Sequence, residues 1–121
     1  GAYAFTGRDD VIAFLERSMG RDDFLSSHRA HHPEITLVSA TTATGIWAFD
    51  DEVIIGEHGL VVRGSGFYDD AYVRSPDGAW RIARTGYRRS FEQIFPVASI
   101  AGWSLTASWW GTDGRSTLPA G

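Results

Sequence analysis

The residues best equipped for proton chemistry in this chain are His28 and Asp70. Imidazole is the side chain whose ordinary pKa lies closest to neutrality, so it can take up and return a proton without large tuning. A carboxylate across a cavity from it could orient the ring or accept the second proton, which makes His28 and Asp70 the expected catalytic pair. Strand alternation puts Asp70 on one face with Tyr68, Tyr72 and Arg74, and puts Asp69 on the other with Phe67, Ala71 and Val73. Tyr68 and Tyr72 could donate hydrogen bonds to a carbonyl or enolate oxygen. Arg84 alternates in phase with Trp80 and Ile82, where a fixed guanidinium could bind a carboxylate or an enolate. Trp47, Phe49 and Phe67 supply an apolar wall suited to a flat, poorly soluble molecule, and with Tyr68, Tyr72 and Arg84 they make the expected substrate-binding set. Each residue also has a plainer role: His28 as a hydrogen-bonded strand histidine, Asp70 and Arg84 in cross-strand ion pairs, the tyrosines in packing with a wet hydroxyl.

Other chemistries are poorly served. His28, His31 and His32 bring three imidazoles within five residues. Along an extended chain, however, His28 and His32 stand about 13 Å apart, too far to share one zinc, so no metal is expected. The sequence has no glycine-rich phosphate loop, no metal-binding acids at helical spacing and no serine in a nucleophile elbow, and no cofactor is expected. Cysteine is absent, which excludes disulfides, thiolate metal sites and cysteine nucleophiles. The formal net charge of -4 arises from 15 acidic and 11 basic residues that are interspersed, arguing against a nucleic-acid partner; Arg81, Arg84, Arg88 and Arg89 form the one local basic run. No apolar stretch reaches the roughly 18 residues of a membrane span and the first residues lack the order of a secretory signal, so no membrane partner and a cytoplasmic setting are expected.

The elements that must position these residues read as one helix followed by strands. Between Gly7 and Gly20, Val11, Phe14, Leu15 and Ser18 or Met19 recur at spacings of three and four, giving an apolar stripe that needs the sheet as its partner. Thr6 is positioned to cap its start and Gly20 to end it. Ser26 to Ala30 reads as a strand that is interrupted at His31-His32-Pro33 and resumes at Ile35 and Leu37, and Thr41 to Phe49 as a second strand closed by Asp50-Asp51. Leu60 to Arg74 and Ala79 to Phe91 are two long arms joined by Ser75-Pro76-Asp77-Gly78, in which proline presets the second turn position and glycine the last. Arms of this length imply a bent sheet, with Gly64, Gly66 and Gly86 at bulges or close approaches. The alternation of Trp103, Leu105, Ala107 and Trp109 predicts one more strand, after which Gly111 to Gly114 ends the order and leaves a loose tail. The 121 residues, 43% of them apolar, suit one domain, and five tryptophans, seven phenylalanines and four tyrosines suit a sheet around large residues.

In this order, Gly7-Arg8-Asp9-Asp10-Val11-Ile12-Ala13-Phe14-Leu15, His28-Arg29-Ala30-His31-His32-Pro33-Glu34-Ile35, Thr42-Ala43-Thr44-Gly45-Ile46-Trp47, Gly66-Phe67-Tyr68-Asp69-Asp70-Ala71-Tyr72-Val73-Arg74 and Asp77-Gly78-Ala79-Trp80-Arg81-Ile82, the chain resembles the SnoaL-like branch of the nuclear-transport-factor-2-like superfamily. The resemblance spans roughly residues 5 to 90. It implies an α+β fold: a strongly curved, mostly antiparallel sheet forming a cone-like half-barrel against helix, with a pocket between them and a homodimer through the outer sheet face. Relatives include scytalone dehydratase, bile-acid 7-alpha-dehydratase, polyketide cyclases, ketosteroid isomerase and limonene-epoxide hydrolase, together with non-catalytic domains. His28 resembles the family's histidine on the first pocket-lining strand, where dehydratases use it to move a proton. Family members begin with two further helices and an early strand, whereas this sequence begins near what resembles the third helix; whether it is a piece of a longer chain or has its cover supplied otherwise, an acid or base drawn from that region is not located in it. Two functions stay open: a cofactor-free lyase or isomerase acting by proton transfer on a small hydrophobic carbonyl compound, and a non-catalytic small-molecule-binding or dimerising domain.

Overall fold

The computed structural model describes residues 3–113 and residue 115. These fall into two compact units: the chain up to residue 25 with residues 54–60 and those from 96 onward, and residues 26–53 with 61–95. In the first unit, α1 (Arg8–Met19) has Gly7 at its N-cap with φ of 87°, and no side chain caps it. Thr6 therefore does not act as the cap; a glycine that can adopt left-handed φ turns the chain into the helix instead. Gly20 ends α1 as expected, its N–H donating to the Glu16 carbonyl at 3.1 Å. No residue of α1 is buried, but Phe14 of its apolar stripe meets Phe5 with ring centroids 4.6 Å apart and Tyr3 at 5.2 Å.

The second unit holds the body of a four-stranded sheet: β1 (Phe24–Leu37), β2 (Thr42–Ile55), β3 (Leu60–Arg74) and β4 (Trp80–Pro96), hydrogen-bonded in the order β1-β2-β3-β4. The turns are as tight as the sequence implies. Between β3 and β4 the Ser75 N–H donates to Ala79 O at 2.9 Å and the Gly78 N–H to Ser75 O at 2.8 Å, with Gly78 at φ 86°. Between β1 and β2 the N–H groups of Val38 and Ser39 both donate to Thr42 O.

The expected cone-like half-barrel is not what forms. Among the described residues each strand pairs only with its sequence neighbours, so the sheet is an open antiparallel meander with β1 and β4 at its edges, neither closed nor strongly curved. Closure needs more strands and a stagger between them. Here the arms run their full 15 and 17 residues as continuous strands, and their length is accommodated without a sharp bend. Pro33 is tolerated because β1 is an edge.

Burial concentrates on the two central strands. Ala43, Phe49, Val53 and Val61 are the buried apolar residues, joined by two buried carboxylates, Asp51 and Asp70, while β1 and β4 are exposed along nearly their whole length. The strand expected around Trp103 to Trp109 is absent: residues 103–108 have no regular structure, and Trp109–Thr112 form a short helix, α2, with Ser108 Oγ accepting from the Gly111 N–H at 2.9 Å. Alternation by itself makes no strand when no neighbouring strand pairs with it. The expected loose tail beyond residue 113 lies outside the described residues, residue 115 excepted.

The left-handed backbone at Gly78 generates a test. Gly78→Ala is expected to lower the stability of the folded chain by about 1 kcal/mol, measured as a shift in the urea unfolding midpoint, because alanine carries a steric cost at positive φ; an unchanged midpoint would contradict this turn geometry.

Candidate functional site

One face of β2 carries Ala43, Gly45, Trp47, Phe49, Asp51 and Val53, and it is the buried, inner face of the sheet. Asp51 continues the aromatic alternation by one step and is only 4% exposed. A carboxylate removed from water requires a counter-charge and hydrogen bonds. Arg89 of β4 supplies both, its Nη1 donating to Oδ1 at 2.8 Å and its Nη2 to Oδ2 at 2.7 Å. The fork must pass over β3, which lies between β2 and β4, and there β3 carries Gly64: a Cβ at that position would fall against the guanidinium and the Phe91 carbonyl. Gly66 similarly leaves room for the Phe49 ring and the Arg88 carbonyl, whereas Gly86 has open space around it, so close approach accounts for two of the three glycines singled out in the arms.

The guanidinium is used on every side. Its Nε lies 2.8 Å from Glu92 Oε2, and its plane stands 5.8 Å from the centroid of Phe49 and 5.9 Å from that of Tyr87. Arg89 holds the Asp51 carboxyl below the ordinary carboxylate range, through hydrogen bonding first, against the opposing effect of burial. The arginine is correspondingly raised, chiefly by its hydrogen bonds to Asp51.

His28 of β1 closes the group. Its Nε2 lies 3.4 Å from Asp51 Oδ2, an ion-pair separation longer than a good hydrogen bond, and its side chain remains 42% exposed. One nitrogen is thus turned toward a clamped carboxylate while much of the ring is accessible. Tyr68 stacks on Phe49 with centroids 4.4 Å apart, Tyr87 meets both edge-on, and burial pushes the Tyr68 phenol up, with the Asp51 charge adding to it.

A second network occupies the same face of β3. Asp70, 7% exposed, accepts from Tyr72 Oη at 2.9 Å on one oxygen and from Thr85 Oγ1 at 2.6 Å on the other. Tyr72 Oη in turn accepts from Trp47 Nε1 at 2.6 Å. The Tyr72 phenol is pushed up, first by burial and then by its bond to Asp70. Among the described residues, no buried side-chain nitrogen or oxygen lacks a partner.

The eight residues singled out from sequence are thus divided. Trp47, Phe49, Tyr68, Asp70 and Tyr72 share the inner face with His28, but the carboxylate beside His28 is Asp51, and Asp70 is engaged by Tyr72 and Thr85. Arg84 pairs with Asp69 at 3.2 Å on the opposite, outer face, and Phe67, in phase with Asp69, is half-exposed there. Asp51, Arg89 and Tyr87 were not anticipated. The available signal was the phase of Asp51 with Trp47 and Phe49, which marks it as an inner-face carboxylate even though it stands in a turn-like Asp-Asp pair. His31 points to the outer face and bonds Asp50, so the three neighbouring imidazoles do not converge; among the described residues no group of three or more His, Asp or Glu is arranged to hold a metal ion. No helix among them is long and apolar enough to cross a membrane.

The fold is thus α+β with an open antiparallel sheet, and a histidine-carboxylate group stands on its inner face. The profile of the SnoaL-like domain matches residues 1–86, and the chain belongs to that family, within a superfamily of diverse lyase and isomerase chemistry. The chain is similar to a candidate scytalone dehydratase from Novosphingobium aromaticivorans DSM 12444 at 25% identity, with a TM-score of 0.67, over 75% of this chain and 60% of that one. It is similar in fold to a type 2 hexachlorocyclohexane dehydrochlorinase, LinA, at 16% identity and a TM-score of 0.64, over 82% of this chain and 63% of that one. The chain therefore spans less than two thirds of the length of either protein.

The buried ion pair sets an expectation for stability. Because the folded state depresses the Asp51 pKa, its contribution is present above the ordinary range near 4 and is lost as pH falls through the folded value. Asp51→Asn, which strands Arg89, is expected to cost about 3 kcal/mol at neutral pH, with the gap to wild type narrowing below about pH 4 in urea unfolding. A gap that persists undiminished in acid would contradict the assignment.

Proposed function

We propose that this chain carries the proton-transfer surface of a cofactor-free lyase or isomerase acting on a small hydrophobic carbonyl compound, with His28 as the group that moves the proton. The observation that carries this reading is the accessible His28 ring beside a carboxylate that Arg89 keeps ionised. An Nε2–H directed at Asp51 leaves Nδ1 as the nitrogen turned away from the carboxylate and able to accept a proton. Asp51 is thereby the orienting carboxylate, and Asp70 serves to lock the Tyr72 hydroxyl. Trp47, Phe49 and Tyr68 are the proposed apolar contacts, and Tyr68 is the phenol available to a developing oxyanion. Membership of the SnoaL-like family and the likeness to a candidate dehydratase support the class of chemistry.

One observation favours the second reading, a non-catalytic small-molecule-binding or dimerising domain: both oxygens of Asp70 are already occupied, leaving His28 as the lone accessible acid-base group expected from sequence. A homodimer through the outer sheet face belongs to the proposal in either case, since Ile46, Phe67, Val73 and Ile82 are exposed there.

Deuterium exchange separates the two. Small hydrophobic ketones incubated with the protein in heavy water are expected to exchange their activated α-protons, and His28→Ala is expected to slow that exchange by roughly 10²–10⁴-fold, followed by proton NMR. Ketones that bind without protein-dependent exchange would sink the enzymatic reading in favour of the binding one, and undiminished exchange in His28→Ala would remove His28 from the mechanism.

For the dimer, sedimentation velocity of Phe67→Glu against wild type is the check. A dimeric wild type and a monomeric variant are expected, and a wild type that remains monomeric overturns this part of the proposal.

A further inference from the structure

The two adjacent carboxylates of β2, Asp50 and Asp51, face opposite sides of the sheet. Asp51 takes Arg89 and His28 on the inner face, and Asp50 takes Arg29 and His31 on the outer face. Arg29 donates to Asp50 Oδ2 through Nε at 3.1 Å and Nη2 at 2.9 Å, and through Nη1 to Ser27 Oγ at 2.8 Å; His31 Nε2 stands 2.5 Å from the other Asp50 oxygen. The adjacent residues His28 and Arg29 are therefore held on opposite faces by adjacent carboxylates.

The hold matters because β1 is poorly specified by burial. It is an edge strand, exposed from Ser26 to Leu37, so burial does little to select which of its faces turns inward. Its phase also changes along its length. His31 is on the outer face, yet Ile35, an even four residues later, lies on the inner face, where its Cδ1 would be 2.8 Å from a Cβ built at Gly45. One extra residue is therefore accommodated between His31 and Ile35. A strand that absorbs a one-residue shift once can do so elsewhere, and a shift at His28 would send its ring to the outer face.

We infer that Arg29, Asp50 and His31 form a register pin on the outer face, and that Arg29 and Asp50 are positioning residues that keep His28 beside Asp51. The inference rests on the reading of His28 as the proton-transfer group, but it concerns geometry rather than turnover. Arg29 is the discriminating member: histidine and aspartate occur on both faces, so His28 with Asp50 would satisfy the same pairing chemistry, whereas Arg29 turned to the inner face would meet Asp51, both of whose oxygens Arg89 already holds.

The test is NMR on the intact chain. In wild type, nuclear Overhauser contacts are expected from the His28 ring to the Asp51 β-protons and from the His31 ring to those of Asp50. In Arg29→Gln and Asp50→Asn the His28 to Asp51 contact is expected to fall to less than half its intensity or to be replaced by one to residue 50, while the Trp47 indole to Tyr72 ring contact, between β2 and β3, is retained. Asp50→Glu is expected to restore it. If either variant loses the Trp47 to Tyr72 contact and so fails to fold, Arg29→Lys, which keeps the charge and removes the fork, takes its place with the same expectation. A full-strength His28 to Asp51 contact in the variants, or its absence in wild type, overturns the inference. Loss of exchange activity is read separately through His28→Ala, so a pin that holds in a protein without turnover refutes the enzymatic reading and leaves this one standing.

Discussion

A carboxylate taken out of water must be given a cation, and in this chain the cation comes from two strands away: Arg89 of β4 reaches over Gly64 of β3 to Asp51 of β2. An interior ion pair does little for net stability, because desolvation offsets most of the attraction. It does make other arrangements costly, since any register that separates the two leaves a buried charge alone. The pair thus ties the strand order to the chemistry. The side chains stacked around it, Phe49, Tyr68 and Tyr87, lower the local polarity and keep the contact short, and His28 sits against the carboxylate that results.

The inner face carries two hydrogen-bonded groups with different degrees of completion. Around Asp70 the chain from Trp47 through Tyr72 to the carboxylate, met by Thr85 from the other side, consumes the strong donors and acceptors it contains. It fixes β2, β3 and β4 to one another and leaves little to offer a ligand. Around Asp51 the same principle is followed less fully, because the third partner is a half-exposed imidazole at 3.4 Å. A closed network specifies structure. An open one, adjoining it on a rigid support, is where exchange with another molecule is least costly.

Much of this architecture was legible where local chemistry decides the outcome. Pro76-Asp77-Gly78 between two long alternating arms defined the β3-β4 hairpin, because the turn demands those residue types and Gly78 takes the φ that only glycine adopts freely. The helix between Gly7 and Gly20 was legible from its period. What the sequence did not disclose was nonlocal. Trp103, Leu105, Ala107 and Trp109 alternate as a strand does, but pairing partners are not encoded in a segment's own pattern. The cone inferred from family resemblance required strand length to become curvature, and the meander holds that length without strong curvature. At the site, His28 is marked by its residue type and by the family resemblance, and Asp70 by its alternation with Tyr68 and Tyr72, whereas Asp51 reads only as part of the Asp-Asp pair that follows the second strand. Burial separates the two less than partnership does: both are nearly inaccessible, and only the distribution of donors around them distinguishes a structural anchor from a group that faces an imidazole.

The space occupied by the Arg89 guanidinium exists because β3 has no side chain at Gly64. Two residues far apart in sequence, on neighbouring strands, are therefore a single unit of inheritance. A side chain at 64 would require both a shorter residue at 89 and a shift of the β4 backbone at Phe91, and a shorter 89 leaves Asp51 without its cation.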